Sequence, residues 1–157
     1  MARANLAAIA EALAVAQSRV IIDFLRYLQR IHPADRLPGR RDIDPLHIPN
    51  LLDNVVLAEV HRQPDSHARF FVRVAGEAIV RALPGPVLNH YIGEDIRGNV
   101  RQTVLETGKM YYWRGPPRLK FRYDFDDVEY VHCPLADDGI LIDRIFSAFH
   151  YSGGIKA

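Results

Sequence analysis

Cys133 stands beside His132, with Asp137 and Asp138 close behind, and these types could supply a nucleophile, a base and a group to orient the imidazole. Adjacent residues of a strand point to opposite faces, however, so His132 is badly placed to take the proton of Cys133. The sequence has no Gly-rich phosphate loop, no histidines at metal-ligand spacing and no Ser-centred elbow, so a catalytic reading rests on composition alone. The other chemistry open to these residues is orientation of a small molecule in an apolar space. Tyr91, Trp113, Tyr130 and His132 each carry one polar tip on a bulky ring, which suits that task. Rings of this kind also serve simply to fill the core of a short chain.

The bulk properties bound the elements that must position those side chains. With 157 residues, 48% of them hydrophobic and 25% charged, the composition is that of one globular domain with one core. A net charge of +1 gives no strong field, so neither nucleic acid nor an acidic membrane surface is implied as a partner. Cys133 is the single cysteine, which excludes an internal disulfide or a thiolate cage and suits a reducing compartment. Residues 1–16 lack a secretory signal, and no apolar run reaches the roughly 18 residues of a membrane helix, so the expectation is a cytoplasmic chain without membrane insertion.

In chain order, Leu6, Ile9, Leu13, Ala16 and Val20 recur at steps of three and four, and Phe24, Leu28 and Ile31 extend the stripe. The spacing predicts one long amphipathic helix, N-capped by Asn5, ended by His32-Pro33 and roughly 39 Å long. Its stripe has two readings, packing on the chain's own sheet or a homodimer seam through Leu6, Ile9, Leu13, Val20 and Phe24. Residues 36–54 are turn-rich, with room for two short helical turns, and Arg36, Arg40 and Arg41 read as a solvated basic cluster. Val55 to Val60 is an apolar strand, and a polar run closes a hairpin onto the alternating strand that begins at Arg69.

Gly76 ends that strand. Ile79, Val80 and Leu83 mark a short helix that Pro84-Gly85-Pro86 stops. Asp95 is placed to cap a helix carrying Ile96, Val100 and Val104, with Gly108 where a left-handed residue is wanted. Lys109 to Trp113 is strand-like and, after an interruption at Gly115-Pro116-Pro117, Leu119, Phe121 and Tyr123 alternate with basic residues. Asp124 to Asp127 then reads as a turn, Val128 to Cys133 as a strand running back, and Pro134 to Gly139 as a tight turn into a strand from Ile140 to Tyr151. Such an order is an α+β plan on one antiparallel sheet.

Several segments together carry a family resemblance. Leu37-Pro38-Gly39-Arg40-Arg41-Asp42-Ile43-Asp44-Pro45, Ile48-Pro49 and Leu51-Leu52 resemble the entry segment of the single-domain PAS proteins described mainly from alphaproteobacteria. Phe70 to Glu77 resembles their second strand, Tyr91-Ile92-Gly93 a later glycine turn, and Pro134-Leu135 with Asp137-Asp138-Gly139 the turn between the last two strands. The likeness spans roughly residues 20–150. It implies a five-stranded antiparallel sheet with short helices on one face and the long N-terminal helix outside, divided as 1–33 helix, 34–151 PAS-like domain and 152–157 tail. Pro84-Gly85-Pro86 departs from the continuous helix expected there.

The resemblance further implies a non-catalytic sensory or regulatory module, with a cavity wall drawn from Ile79, Leu83, Tyr91, Val100, Val104, Tyr111, Trp113, Phe121, Tyr130, His132, Ile142 and Phe146. PAS relatives use haem and flavin. A haem would need an axial ligand, for which only His90 and His132 stand near, and a cysteinyl flavin adduct would need a helical cysteine where Cys133 is on a strand. The cofactor therefore stays unknown. A homodimer, a small-molecule ligand and a signalling partner are the expected associations, with no output domain in the chain. The alternative is a ligand-free adaptor for protein-protein contacts whose aromatic core is purely structural.

Overall fold

The computed structural model describes residues 1–65, 67–92 and 100–156, with side chains through Gly154. Two helices, α1 (Ala2–Val15) and α2 (Arg19–Ile31), precede three 3-10 turns at Arg40–Asp42, Pro45–His47 and Leu52–Asn54. Then follow β1 (Val55–Arg62), β2 (Ala68–Ala75), α3 (Glu77–Ala82), β3 (Tyr91–Ile92), α4 (Val100–Thr107), β4 (Tyr111–Gly115), β5 (Tyr123–Leu135) and β6 (Arg144–Lys156). All six strands form one antiparallel sheet in the order β3-β2-β1-β6-β5-β4. The α+β plan on one antiparallel sheet is thus observed, with six strands rather than five because the two-residue β3 adds to the edge of β2.

The expected single N-terminal helix is two helices. The chain leaves helical space at Ala16, with ψ 141°, and α2 restarts behind Ser18, whose hydroxyl accepts from the Ile21 N–H at 3.1 Å. The apolar stripe runs on across the break because both helices pack on the same face of the sheet, against Val131, Cys133, Leu135, Phe146 and Ala148. Ile9 and Phe24, expected at a dimer seam, are 0% exposed within this one chain, and Phe24 packs on Phe146 with ring centroids 5.0 Å apart. Burying side chains of this size contributes roughly 1.5–3 kcal/mol each. Leu6, Leu13 and Val20 are half-buried.

Asn5 is not a cap either. It lies buried within α1, where its Oδ1 accepts from the Met110 N–H at 2.6 Å and its amide nitrogen meets His32 Nε2 at 3.0 Å. One amide therefore ties α1 to the end of α2 and to the start of β4.

Several further expectations fail over residues 116–156. Leu119 to Arg122 is not a strand: the Arg122 N–H donates to Ala82 O at 2.8 Å and its Nε to Leu83 O at 2.6 Å, so the segment straps itself to the C-terminal carbonyls of α3. Asp124 to Asp127 is not a turn, because irregular pairing opposite Ser152 and Gly153 lets β5 continue through it. Pro134 lies inside β5, and Ile140 to Asp143 is loop, since Asp138 Oδ1 accepts from both the Ile140 and Leu141 N–H groups at 2.8 Å and holds the chain out of the ladder. β6 then runs on to Lys156, through most of the expected tail.

Other readings hold. α3 stops before Pro84, and Gly108 follows α4 in the left-handed region at φ 67°. The expected cap Asp95, with Gly93 and Ile96, lies outside the described residues.

Candidate functional site

Alternation along β4, β5 and β6 gives the sheet two unlike faces. The face toward α1 and α2 carries Val131, Cys133, Leu135 and Ala148 with Phe146, Tyr112 and Glu129. On the other, cross-strand pairs set Tyr111 opposite His132, Trp113 opposite Tyr130, Tyr130 opposite Phe149 and His132 opposite Ser147. The rings form a continuous surface, with centroid separations of 5.6 Å for Trp113 and Tyr130, 4.9 Å for Tyr130 and His132, 5.5 Å for His132 and Phe149, and 4.8 Å for Tyr151 and Phe125. Helices α3 and α4 cover part of this face, seating Ile79 among Val56 and Val72, and Val104 among Ala58, Phe70 and Ile145.

Residues 116–122 close the side. Arg118 lies 3.9 Å from the Trp113 ring centroid, and Phe121 packs edge-on against Phe125 and Tyr151 at 5.5 and 5.3 Å. Between α3 and the projecting ends of β5 and β6 lies a groove of about 530 Å3, lined by Ala78, Arg81, Ala82, Phe125, His150 and Tyr151 among others.

Polar groups are sparse on the aromatic face and each is placed. His132 Nδ1 and Ser147 Oγ are 2.5 Å apart. Burial, with the Arg101 charge nearby, holds this imidazole well below its ordinary 6.5. Arg101 projects from α4, and burial lowers its guanidinium to about 10 despite the opposing influence of Tyr130 and Tyr151. Tyr130 and Tyr151 are both pushed up, chiefly by burial. The face is therefore a row of rings carrying a neutral imidazole and the protonated phenols of Tyr130 and Tyr151, with the Arg101 guanidinium near those phenols and Arg118 over Trp113. Such a surface can stack a flat or apolar body and orient its polar groups.

Of the expected wall residues, Tyr111, Trp113, Tyr130 and His132 share this face. Phe121 reaches it through the strap, and Ile79, Leu83, Val100, Val104 and Ile142 belong to the elements and loops around it. Two fall elsewhere. Phe146 faces α2, and Tyr91 pairs with Phe71 on the far side, where its hydroxyl meets His61 Nδ1 at 2.8 Å. Phe149, Tyr151 and Arg101 were missed. The first two share the parity of Ile145, whereas counting from an assumed strand start at Ile140 selects Ile142 and Phe146, and the loop before Arg144 breaks that count.

The nucleophile-and-base pairing does not form. Cys133 is buried on the helix face, where burial pushes its thiol up to about 12, and His132 is on the opposite face. Of the two histidines weighed as haem ligands, His90 is exposed and bonded to Leu88 O at 2.9 Å, while His132 is bonded to Ser147. No group of three or more metal-ligating side chains occurs among the described residues. None of the described helices is long and apolar enough to cross a membrane.

The buried imidazoles predict a pH response. His32, with Nδ1 2.6 Å from Pro33 O, is also held below 6.5, chiefly by burial. Folding lowers the proton affinity of both His32 and His132, so below about pH 6.5 the unfolded chain binds more protons than the folded chain, and stability falls as pH falls. The limiting slope is about 1.4 kcal/mol per pH unit per imidazole. Urea midpoints should therefore stay nearly level from pH 7.5 to about 6.5 and then decrease toward pH 5, less steeply in His132→Gln. A flat profile over that range would remove this account.

No protein family, no curated protein and no solved structure matches this chain.

Proposed function

We propose that the chain is a PAS-like sensory or regulatory module that holds a small ligand against the aromatic face and passes its state on through dimer or partner contacts. The observation that carries this reading is the placement of Trp113, Tyr130, His132, Phe149 and Tyr151 on one face, with Arg101 and the His132–Ser147 pair among them. These polar groups give an otherwise apolar face the means to orient a bound molecule. One antiparallel sheet with helices α3 and α4 across part of one face supports this reading. In this reading the module is cytoplasmic and non-catalytic. A homodimer would use the outer parts of the N-terminal stripe, Leu6, Leu13 and Val20, because Ile9 and Phe24 are spent in the chain's own core.

The second reading, a ligand-free adaptor, has its own support. Ile140 and Leu141 stand 74% and 55% exposed at the tip of the loop between β5 and β6, an apolar pair open to a protein partner. Native mass spectrometry of gently purified protein beside a denatured sample, with an absorbance spectrum, separates the two. The sensor reading expects a non-covalent adduct that disappears on denaturation and is depleted about tenfold in Trp113→Ala, a loss of stacking surface. An adduct-free, colourless wild-type protein would favour the adaptor.

A further inference from the structure

A second concavity lies on the outer side of α2, away from the aromatic face. Asp23, Arg26, Tyr27 and Arg30 are spaced by three and four, so they share one side of the helix. That side closes against residues 47–51 around a pocket of about 220 Å3. Its floor is apolar and fixed: Tyr27, Ile48 and Leu51 are buried, and the Tyr27 hydroxyl accepts from the Asp44 N–H at 2.8 Å, pinning the opposite wall to α2.

The rim carries two arginines, Arg26 and Arg30, and one carboxylate, Asp23. Arg26 and Arg30 stand one turn apart, where like charges repel. Among the described residues neither has an ion-pair partner. The acid on their own helix, Asp23, is engaged by Arg19 at 3.3 Å. The acid on the facing wall, Asp44, lies 3.5 Å from His47 Nε2 and accepts from the Leu46 N–H at 3.0 Å. Nor is Arg30 simply extended into water, since its guanidinium carbon lies 5.3 Å from the Tyr27 ring centroid, above the floor of the pocket. Asn50 and His47 complete the polar part of the lining.

We infer that this pocket binds a tetrahedral phosphate dianion, either the free ion or the phosphoryl group of a small ester. Two guanidinium forks one turn apart can each place paired N–H donors on phosphate oxygens, and an anion between them relieves their repulsion. The volume is below the roughly 300 Å3 at which pockets for drug-sized ligands begin, a size that suits a phosphoryl group. The site is separate from the aromatic face, so it stands whether or not that face holds a ligand.

The test is a titration of the 15N-labelled chain with inorganic phosphate and, separately, with phosphoserine, at ionic strength held constant with chloride. Saturable shifts are expected at the amides of residues 26–30, 46–48, 50 and 51, and chloride alone should produce none. Arg26→Ala/Arg30→Ala should weaken binding at least about tenfold, whereas Arg41→Ala, outside the pocket, should leave it within about twofold. Both rim arginines are exposed, and an unchanged far-UV spectrum of the double variant confirms that its fold is intact. Tighter binding of phosphoserine assigns the ester, and equal or weaker binding assigns the free ion. Absence of saturable shifts with either anion, or equal affinity in the double variant, overturns the proposal.

Discussion

Gly76→Ala should leave the protein unfolded or less stable by about 3 kcal/mol or more, the upper range for forcing a group into filled space. Gly76 joins β2 to α3, and at φ −69° its backbone is one that any residue adopts. The constraint is contact. A Cβ there would fall inside the van der Waals radii of the Asp53 carbonyl carbon and oxygen and of Leu52 O, all backbone atoms of the third 3-10 turn. Neither side can yield cheaply. The Gly76 N–H donates to Val55 O at 2.8 Å, its carbonyl accepts the first bonds of α3 from Ile79 and Val80, and Asn54 holds Phe149 O through its side chain at 3.0 Å. Gly85→Ala is the control, because a Cβ there meets nothing within 4 Å. Circular dichroism and urea unfolding of the two variants make the comparison. A Gly76→Ala protein with the wild-type midpoint would mean that the turn and the strand end do not approach this closely.

Glu129→Ala should cost about 3 kcal/mol, since it strands several polar groups at once and each such loss is worth roughly 1–3 kcal/mol. Glu129 is buried on the helix face of β5, where it accepts from the Gln17 N–H at 2.8 Å, the Ser18 N–H at 2.8 Å and the Tyr112 hydroxyl at 2.5 Å. Two of those donors are the amides exposed where α1 ends and α2 begins, so the carboxylate serves as a remote cap and supplies the negative charge that a helix N-terminus favours. Burial pushes its carboxyl up, but the donors more than offset this and hold it below the usual range. Its contribution is therefore complete above about pH 4.5 and is lost as pH falls below that. Glu129→Gln, which keeps the shape and loses the charge, should fall between wild type and alanine in urea midpoint. Equal midpoints for all three proteins would show that the helix break is held by packing alone.

Much of the fold was legible where a local pattern decides the structure. The run Val55 to Val60, the stop at Pro84 and the left-handed Gly108 each carry their cause within a few residues. What escaped depends on distant partners. Nothing near Gln17 announces a helix break whose carboxylate lies 112 residues away, and an acidic residue in an alternating strand reads as a wet face when Glu129 is in fact buried. Leu119 to Tyr123 alternates well enough for a strand, yet α3 offers carbonyls that its arginine takes instead. For the site, the resemblance implied Tyr111, Trp113, Tyr130 and His132 as wall residues, and the pairing of β4 with β5 puts these four on one face. Phe149 and Tyr151 required the true start of β6, which Asp138 sets by a turn that mimics strand sequence.

The position of β6 bears on how the chain is made. Sixth of the strands in sequence, it lies between β1 and β5 in space and supplies Ile145 and Phe146 to opposite cores. A ribosome therefore delivers α1, α2 and five strands before the central one, and until then β1 and β5 have no neighbour on their inner edges. Contacts spanning so much of the sequence form slowly, and the waiting edges are sticky. During synthesis the nascent chain must pass through an interval without a closed sheet, in which a chaperone has most to offer.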